Sequence, residues 1–122
     1  MARAKRTHGI SDPLYGSIPL TELEMRVIGT SSFQRLRRVK QLGLVDFVFP
    51  NATYSRFTHS LGACHVIGEI MDSLHARREV RVHDNEYRDY RLALLLHDVG
   101  HYFMSHATEQ AVGKYFADKT AG

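Results

Sequence analysis

The sequence has one cysteine, Cys64, so no internal disulfide framework can hold the chain together. Cys64 lies in an apolar periodic stretch, where a buried reduced thiol is the ordinary occupant. No apolar run follows Arg3, Lys5 and Arg6, so the middle region of a secretory signal is missing, and no run approaches membrane-spanning length. These absences predict a cytoplasmic protein with no membrane partner. Internal repeats and low-complexity segments are missing too. Sixteen basic against thirteen acidic residues give a net charge of +3, and without Arg3, Lys5 and Arg6 the body is balanced. Overall charge is therefore no argument for a nucleic-acid binder.

What is present is modest in size. The 122 residues, 43% apolar and 24% charged, suffice for one helical core and not for two independent domains. Charge is unevenly spread: Arg26, Arg35, Arg37, Arg38, Lys40 and Arg56 face only Asp46 in that interval. An anionic ligand and a solvated face both account for this asymmetry.

Residues 1–10 read as a flexible basic leader, with the body of the domain over 11–122. Asp12-Pro13 and Tyr15-Gly16 mark turns around a short extended segment ending at Pro19, which predicts a small N-terminal β-hairpin. Thr21 with Glu24 forms a capping-box pattern for a helix stopped by Gly29. Ser31 with Gln34 repeats the pattern for a second helix ending at Gly43, whose inner stripe is Phe33, Leu36, Val39 and Leu42. The short apolar run Leu44 to Phe49 fits strand, buried loop or helix end equally.

From Phe57 to Leu74 apolar residues recur at three- and four-residue steps, predicting a largely buried helix with His59 in its first turn. Residues 75–89 are polar and read as a loop, with Asp84 capping a helix through Leu92 to Leu96. Gly100 breaks that pattern, and Ser105 starts another helix toward Phe116.

Eight histidines are many for this length, and His97, His101 and His106 fall together after the apolar run Leu92-Ala93-Leu94-Leu95-Leu96. A histidine and a carboxylate at the end of a buried helix are costly unless satisfied, and a divalent metal binds both. An adjacent His-Asp pair alone is weak: His83-Asp84 is a second one, in the most polar stretch, where a solvated loop and a helix cap explain it.

The segment Leu94-Leu95-Leu96-His97-Asp98-Val99-Gly100-His101-Tyr102-Phe103-Met104-Ser105-His106 resembles the signature of HD-domain phosphohydrolases. Upstream, Asp12-Pro13-Leu14-Tyr15-Gly16, the block Phe33 to Gly43 and Arg56-Phe57-Thr58-His59-Ser60-Leu61-Gly62 resemble successive blocks of the deoxynucleoside triphosphate triphosphohydrolase branch. The likeness spans roughly residues 11–107, in order.

That resemblance implies an all-α HD fold, here its N-terminal portion, with His59, His97 and Asp98 as ligands of one divalent metal. Iron, manganese, nickel, zinc and magnesium are not distinguished, although the mixed nitrogen and oxygen set suits a borderline ion. It further implies that His101 and His106 stand beside the metal to protonate a leaving group or bind phosphate. Arg56 would grip phosphate oxygens with its fork, and Gln41 would contact the sugar or base. Arginines of the Arg35 to Lys40 block bind activating nucleotides in the family, although each reads singly as solvated. Gly29 departs from an aspartate that in some members reads an activating guanine nucleotide.

By the same resemblance the fourth ligand would be a late aspartate on a helix farther along than Gly122; Glu109 and Asp118 are the carboxylates after Asp98. The expectation is a weak catalyst with apolar helix faces that favour association, a homo-oligomer being one outcome. The implied reaction is metal-dependent hydrolysis of a deoxynucleoside triphosphate partner to deoxynucleoside and tripolyphosphate. Alternatives are a phosphomonoesterase or phosphodiesterase of another HD branch and a truncated module that binds nucleotide or nucleic acid through the basic stretch without turnover.

Overall fold

The computed structural model describes residues 5–102 and 106–120 of the chain. It opens with an antiparallel hairpin, β1 (Arg6–Asp12) against β2 (Gly16–Thr21). Ile10 faces Ile18 and Asp12 faces Gly16 across it. The turn is built by Asp12, whose Oδ1 accepts from the backbone N–H of Leu14 at 2.8 Å and of Tyr15 at 3.0 Å. Gly16 follows at φ +76°, a value that glycine adopts without strain.

The hairpin reaches further back than its composition suggested. Arg6 to Ile10, read as leader, form most of β1, because their backbone groups pair with the Ile18 to Thr21 stretch whatever their side chains. Alternation on β2 turns Ile18 and Leu20 fully inward.

Thr21 caps α1 (Glu22–Ile28): its Oγ1 accepts from Glu24 N–H at 3.3 Å, and Glu24 Oε2 accepts from Thr21 N–H at 2.8 Å. The next helix is shorter than expected. Thr30, not Ser31, caps α2 (Ser31–Gln34), which tightens into a 3₁₀ turn over Arg35–Arg38 and ends well before Gly43. The physical reason is a competing pairing. Val39 turns extended, its carbonyl accepts from Arg56 N–H at 2.8 Å, and Gln41 N–H donates to the Tyr54 carbonyl at 3.1 Å. The loop so closed contains a 3₁₀ turn at Val45–Phe47, and Phe47, Val48 and Phe49 are exposed.

Ser55 caps α3 (Arg56–Ala76). This helix packs on α4 (Asp84–Leu96). Phe57, Leu61, Cys64 and Met71 of α3 are buried, whereas Val66 and Ile70 are exposed. Apolar residues are spread around the helix among polar ones, so those away from the packed face are left exposed. Burial pushes the Cys64 thiol up to about 12, in keeping with a packing role. The polar loop is narrower than 75–89, since α3 runs to Ala76 and α4 starts at Asp84. His83 rather than Asp84 is the N-cap residue, with its N–H bonded to Glu86 Oε2 at 2.9 Å.

Ile18, Leu20, Ile28, Phe33, Leu36, Phe57, Leu61, Cys64 and Leu95 form one core. Phe33 meets Phe57 edge-on at 5.3 Å. Helix α5 (His106–Thr120) follows; the proposed start at Ser105 lies outside the described residues. Among the described residues no helix is long and apolar enough to cross a membrane.

Candidate metal centre

Two helix ends build the site. The first turn of α3 carries Arg56 and His59; the turn leaving α4 carries His97, Asp98 and His101. Packing of α3 on α4 through Leu61, Cys64 and Leu95 brings these ends together.

His97 Nε2 stands 3.2 Å from His59 Nε2. Asp98 Oδ1 is 3.5 Å from His97 Nε2, and Asp98 Oδ2 is 3.7 Å from His59 Nε2. His97 Nδ1 lies 2.6 Å from the Leu94 carbonyl; an oxygen that cannot donate requires the proton on Nδ1, which leaves the Nε2 lone pair facing His59. Burial pushes the His59 imidazole below its ordinary value against the pull of Asp98, with His97 and Arg56 adding to burial. Its neutral form, the one that ligates, is favoured.

The spacing suits a shared ion. Donor atoms about 2.1 Å from a divalent ion are separated by about 3.0 Å at a right angle and about 3.4 Å at the tetrahedral angle. The potential ligand atoms of His59, His97 and Asp98 lie within 4.8 Å of one another. Access is one-sided: the His59 and His97 side chains are 39% and 36% exposed, while that of Asp98 is 5% exposed. Three of the expected ligands therefore converge.

The other expected residues divide. His101 joins the cluster, its Nε2 3.3 Å from Asp98 Oδ1. Arg56 is buried, and its Nη1 donates to Asp98 Oδ2 at 2.7 Å; its nearest anion is the site's own carboxylate. Gln41 lies on the neighbouring loop, held by its N–H to the Tyr54 carbonyl. Nothing is described for the His106 side chain.

Three features escaped the sequence reading. A cleft of about 500 Å³ lined by Leu14, Tyr15, Tyr54, His59 and Gly62 opens beside His59, between the hairpin turn and α3. Arg35, read as solvated, donates through Nη2 to the carbonyls of Val99 at 2.7 Å and His101 at 2.8 Å. Arg37, also read as solvated, stacks its guanidinium 3.6 Å from the Phe57 ring centre. These contacts join residues distant in sequence, and no local pattern announces them.

No family model matches the chain. It is 39% identical over 111 residues to the Deoxynucleoside triphosphate triphosphohydrolase SAMHD1 homolog of Dictyostelium discoideum, a match covering 90% of this chain and 22% of that protein. It is 41% identical over 98 residues to Deoxynucleoside triphosphate triphosphohydrolase SAMHD1 of Homo sapiens, covering 80% of this chain and 16% of the relative. The chain thus spans about a fifth of the length of these curated relatives. A crystal structure of a phosphohydrolase from Bacteroides thetaiotaomicron superposes with a TM-score of 0.79 at 37% identity, covering 84% of this chain and 26% of that one.

Proposed function

We propose that this chain, homologous over most of its length to SAMHD1-type deoxynucleoside triphosphate triphosphohydrolases, forms the metal-binding part of an enzyme that hydrolyses deoxynucleoside triphosphates. The observation that carries the reading is the convergence of His59, His97 and Asp98 at donor spacings that suit one divalent ion.

His59, His97 and Asp98 would hold a divalent ion, which when bound would supply an activated water and polarise a phosphoryl oxygen. The chain's own residues supply the rest. Hydrolysis at the α-phosphorus forms a bond from the water oxygen to phosphorus and breaks the bond to the 5′ oxygen, releasing deoxynucleoside and tripolyphosphate. The 5′ oxygen needs a proton as it leaves, and we assign that role to His101, whose Nε2 lies 3.3 Å from Asp98 Oδ1, with His106 as the second candidate. Arg56 offsets the charge of Asp98 and brings a cation to where phosphate oxygens gather. Gln41 is assigned to the sugar or base from the resemblance alone.

The test is to incubate the protein with a deoxynucleoside triphosphate and a divalent metal and to separate the products. Deoxynucleoside and tripolyphosphate are expected. Orthophosphate or pyrophosphate as first product would favour a phosphomonoesterase-like or phosphodiesterase-like branch. Metal-dependent nucleotide binding without any product would favour a binding module.

A further inference from the structure

We infer that Arg35 is a positioning residue for the metal centre, holding the turn from Asp98 to His101 at the geometry its side chains need. The inference rests on the metal reading of His59, His97 and Asp98.

Two ligands, His97 and Asp98, sit where the chain leaves α4, and short-range bonds shape that exit. Val99 N–H donates to Leu96 O at 3.0 Å and His101 N–H to Asp98 O at 3.1 Å. The turn has its own backbone bonds, Val99 packs against the core and Asp98 is buried, but at Gly100 an added Cβ would meet only open space. Arg56 grips the Asp98 side chain, and the external hold on the backbone carbonyls of the turn comes from Arg35, 64 and 66 residues away from them. One Nη2 carries two N–H groups, and the Val99 and His101 carbonyls, at 2.7 and 2.8 Å, take both. Two carbonyl dipoles converging on one point repel each other, and a cation between them turns the repulsion into attraction.

Arg35 is itself placed by the core. It begins the 3₁₀ turn flanked by Phe33 and Leu36, both fully buried. The guanidinium is therefore a strut from the rigid core to the ligand turn, and it touches neither ligand side chain in the bonds described. Partners of this kind, which orient ligands without binding the ion, typically change metal affinity or activity by about 10–100-fold when removed.

The experiment compares wild type, Arg35→Met, Arg35→Gln, Arg35→Lys and His97→Ala. Cobalt(II) titration followed in the visible spectrum gives affinity and ligand-field shape; thermal melting gives folding. Arg35→Met and Arg35→Gln should weaken cobalt binding about tenfold or more and alter the band shape while still melting cooperatively. Arg35→Lys, which keeps a cation on a flexible stem, should recover part of the affinity. Wild-type affinity and spectrum in a folded Arg35→Met or Arg35→Gln protein overturn the inference. Loss of folding in both makes Arg35 a general structural residue and overturns it equally. His97→Ala separates the two readings: cobalt binding lost there but intact without Arg35 sinks the strut alone, and cobalt binding intact in His97→Ala sinks the metal centre beneath it.

Discussion

The Glu24 carboxylate receives two arms of the Arg91 guanidinium, Nε to Oε1 at 2.7 Å and Nη2 to Oε2 at 3.1 Å, with both side chains almost wholly buried. Two further donors of Arg91 reach the Cys64 carbonyl at 3.1 Å and the Pro19 carbonyl at 3.0 Å. Glu24 also closes the capping box with Thr21. One polar cluster thus ties β2, α1, α3 and α4 together directly beneath the helix pair that carries the histidines. Such a pair is strongly sensitive to loss of one partner, because the survivor is left as an uncompensated buried charge.

Glu24→Leu and Arg91→Met, made singly, should each destabilise the fold by about 3–5 kcal/mol. The double replacement Glu24→Leu with Arg91→Met should cost much less than the two single losses added together, since no charge remains buried. Urea melts of the four proteins form the cycle. Additive losses would show that the two groups do not interact.

This cluster also shows where sequence reasoning stops. Thr21 and Glu24 were legible as a cap because the contact spans three residues, and the structure has that cap. The partnership of Glu24 with Arg91 spans 67 residues, and Arg91 stands in a polar-to-apolar helix whose pattern gives no reason to single it out. The same division holds at the site. His97 and Asp98 stand out by contrast with the leucines before them, whereas the approach of His59 needs the α3 to α4 packing, and the resemblance alone anticipated it. The expected helix to Gly43 failed because helix periodicity cannot see the pairing of Val39 to Gln41 with Tyr54 to Arg56.

Acid should weaken the fold through Glu24. Burial by itself opposes ionisation, but the Arg91 hydrogen bond and charge and the Thr21 bonds outweigh it and hold the carboxyl below its ordinary value. A depressed folded-state value means that the unfolded chain binds the proton more readily. The stabilisation is fully present above the ordinary carboxylate value and is lost as pH falls through the lowered one. Urea midpoints across pH should therefore fall more steeply with acid in wild type than in Glu24→Gln. Parallel curves for the two proteins would remove Glu24 from the acid response.

The two adjacent His-Asp pairs should behave differently toward metal. His97→Ala and Asp98→Ala each delete a member of the cluster and should remove most bound metal, while His83→Ala and Asp84→Ala, at the solvated start of α4, should leave metal content within about twofold. Elemental analysis of the four purified variants decides the matter. Equal loss from both pairs would mean that metal retention reports general folding rather than ligation.

Arg56→Lys probes whether this residue serves phosphate alone. If phosphate were its only partner, a lysine would weaken nucleotide binding, by losing the two-armed fork, and leave the metal untouched. The structure gives Arg56 a second duty: its Nη1 meets Asp98 Oδ2 at 2.7 Å in a side chain 4% exposed. A lysine ammonium in the same space is a more strongly hydrated point charge and costs more to bury. The carboxylate should lose part of its orientation toward His59 and His97, so metal affinity and nucleotide affinity should fall together, each by about tenfold, the scale on which partners of a ligand act. Calorimetry with metal first, and with a deoxynucleoside triphosphate on the metal-saturated protein second, separates the two effects. A drop confined to the nucleotide would show that the Arg56 contact to Asp98 does not tune the metal, and unchanged affinity for both would return Arg56 to a purely structural place at the start of α3.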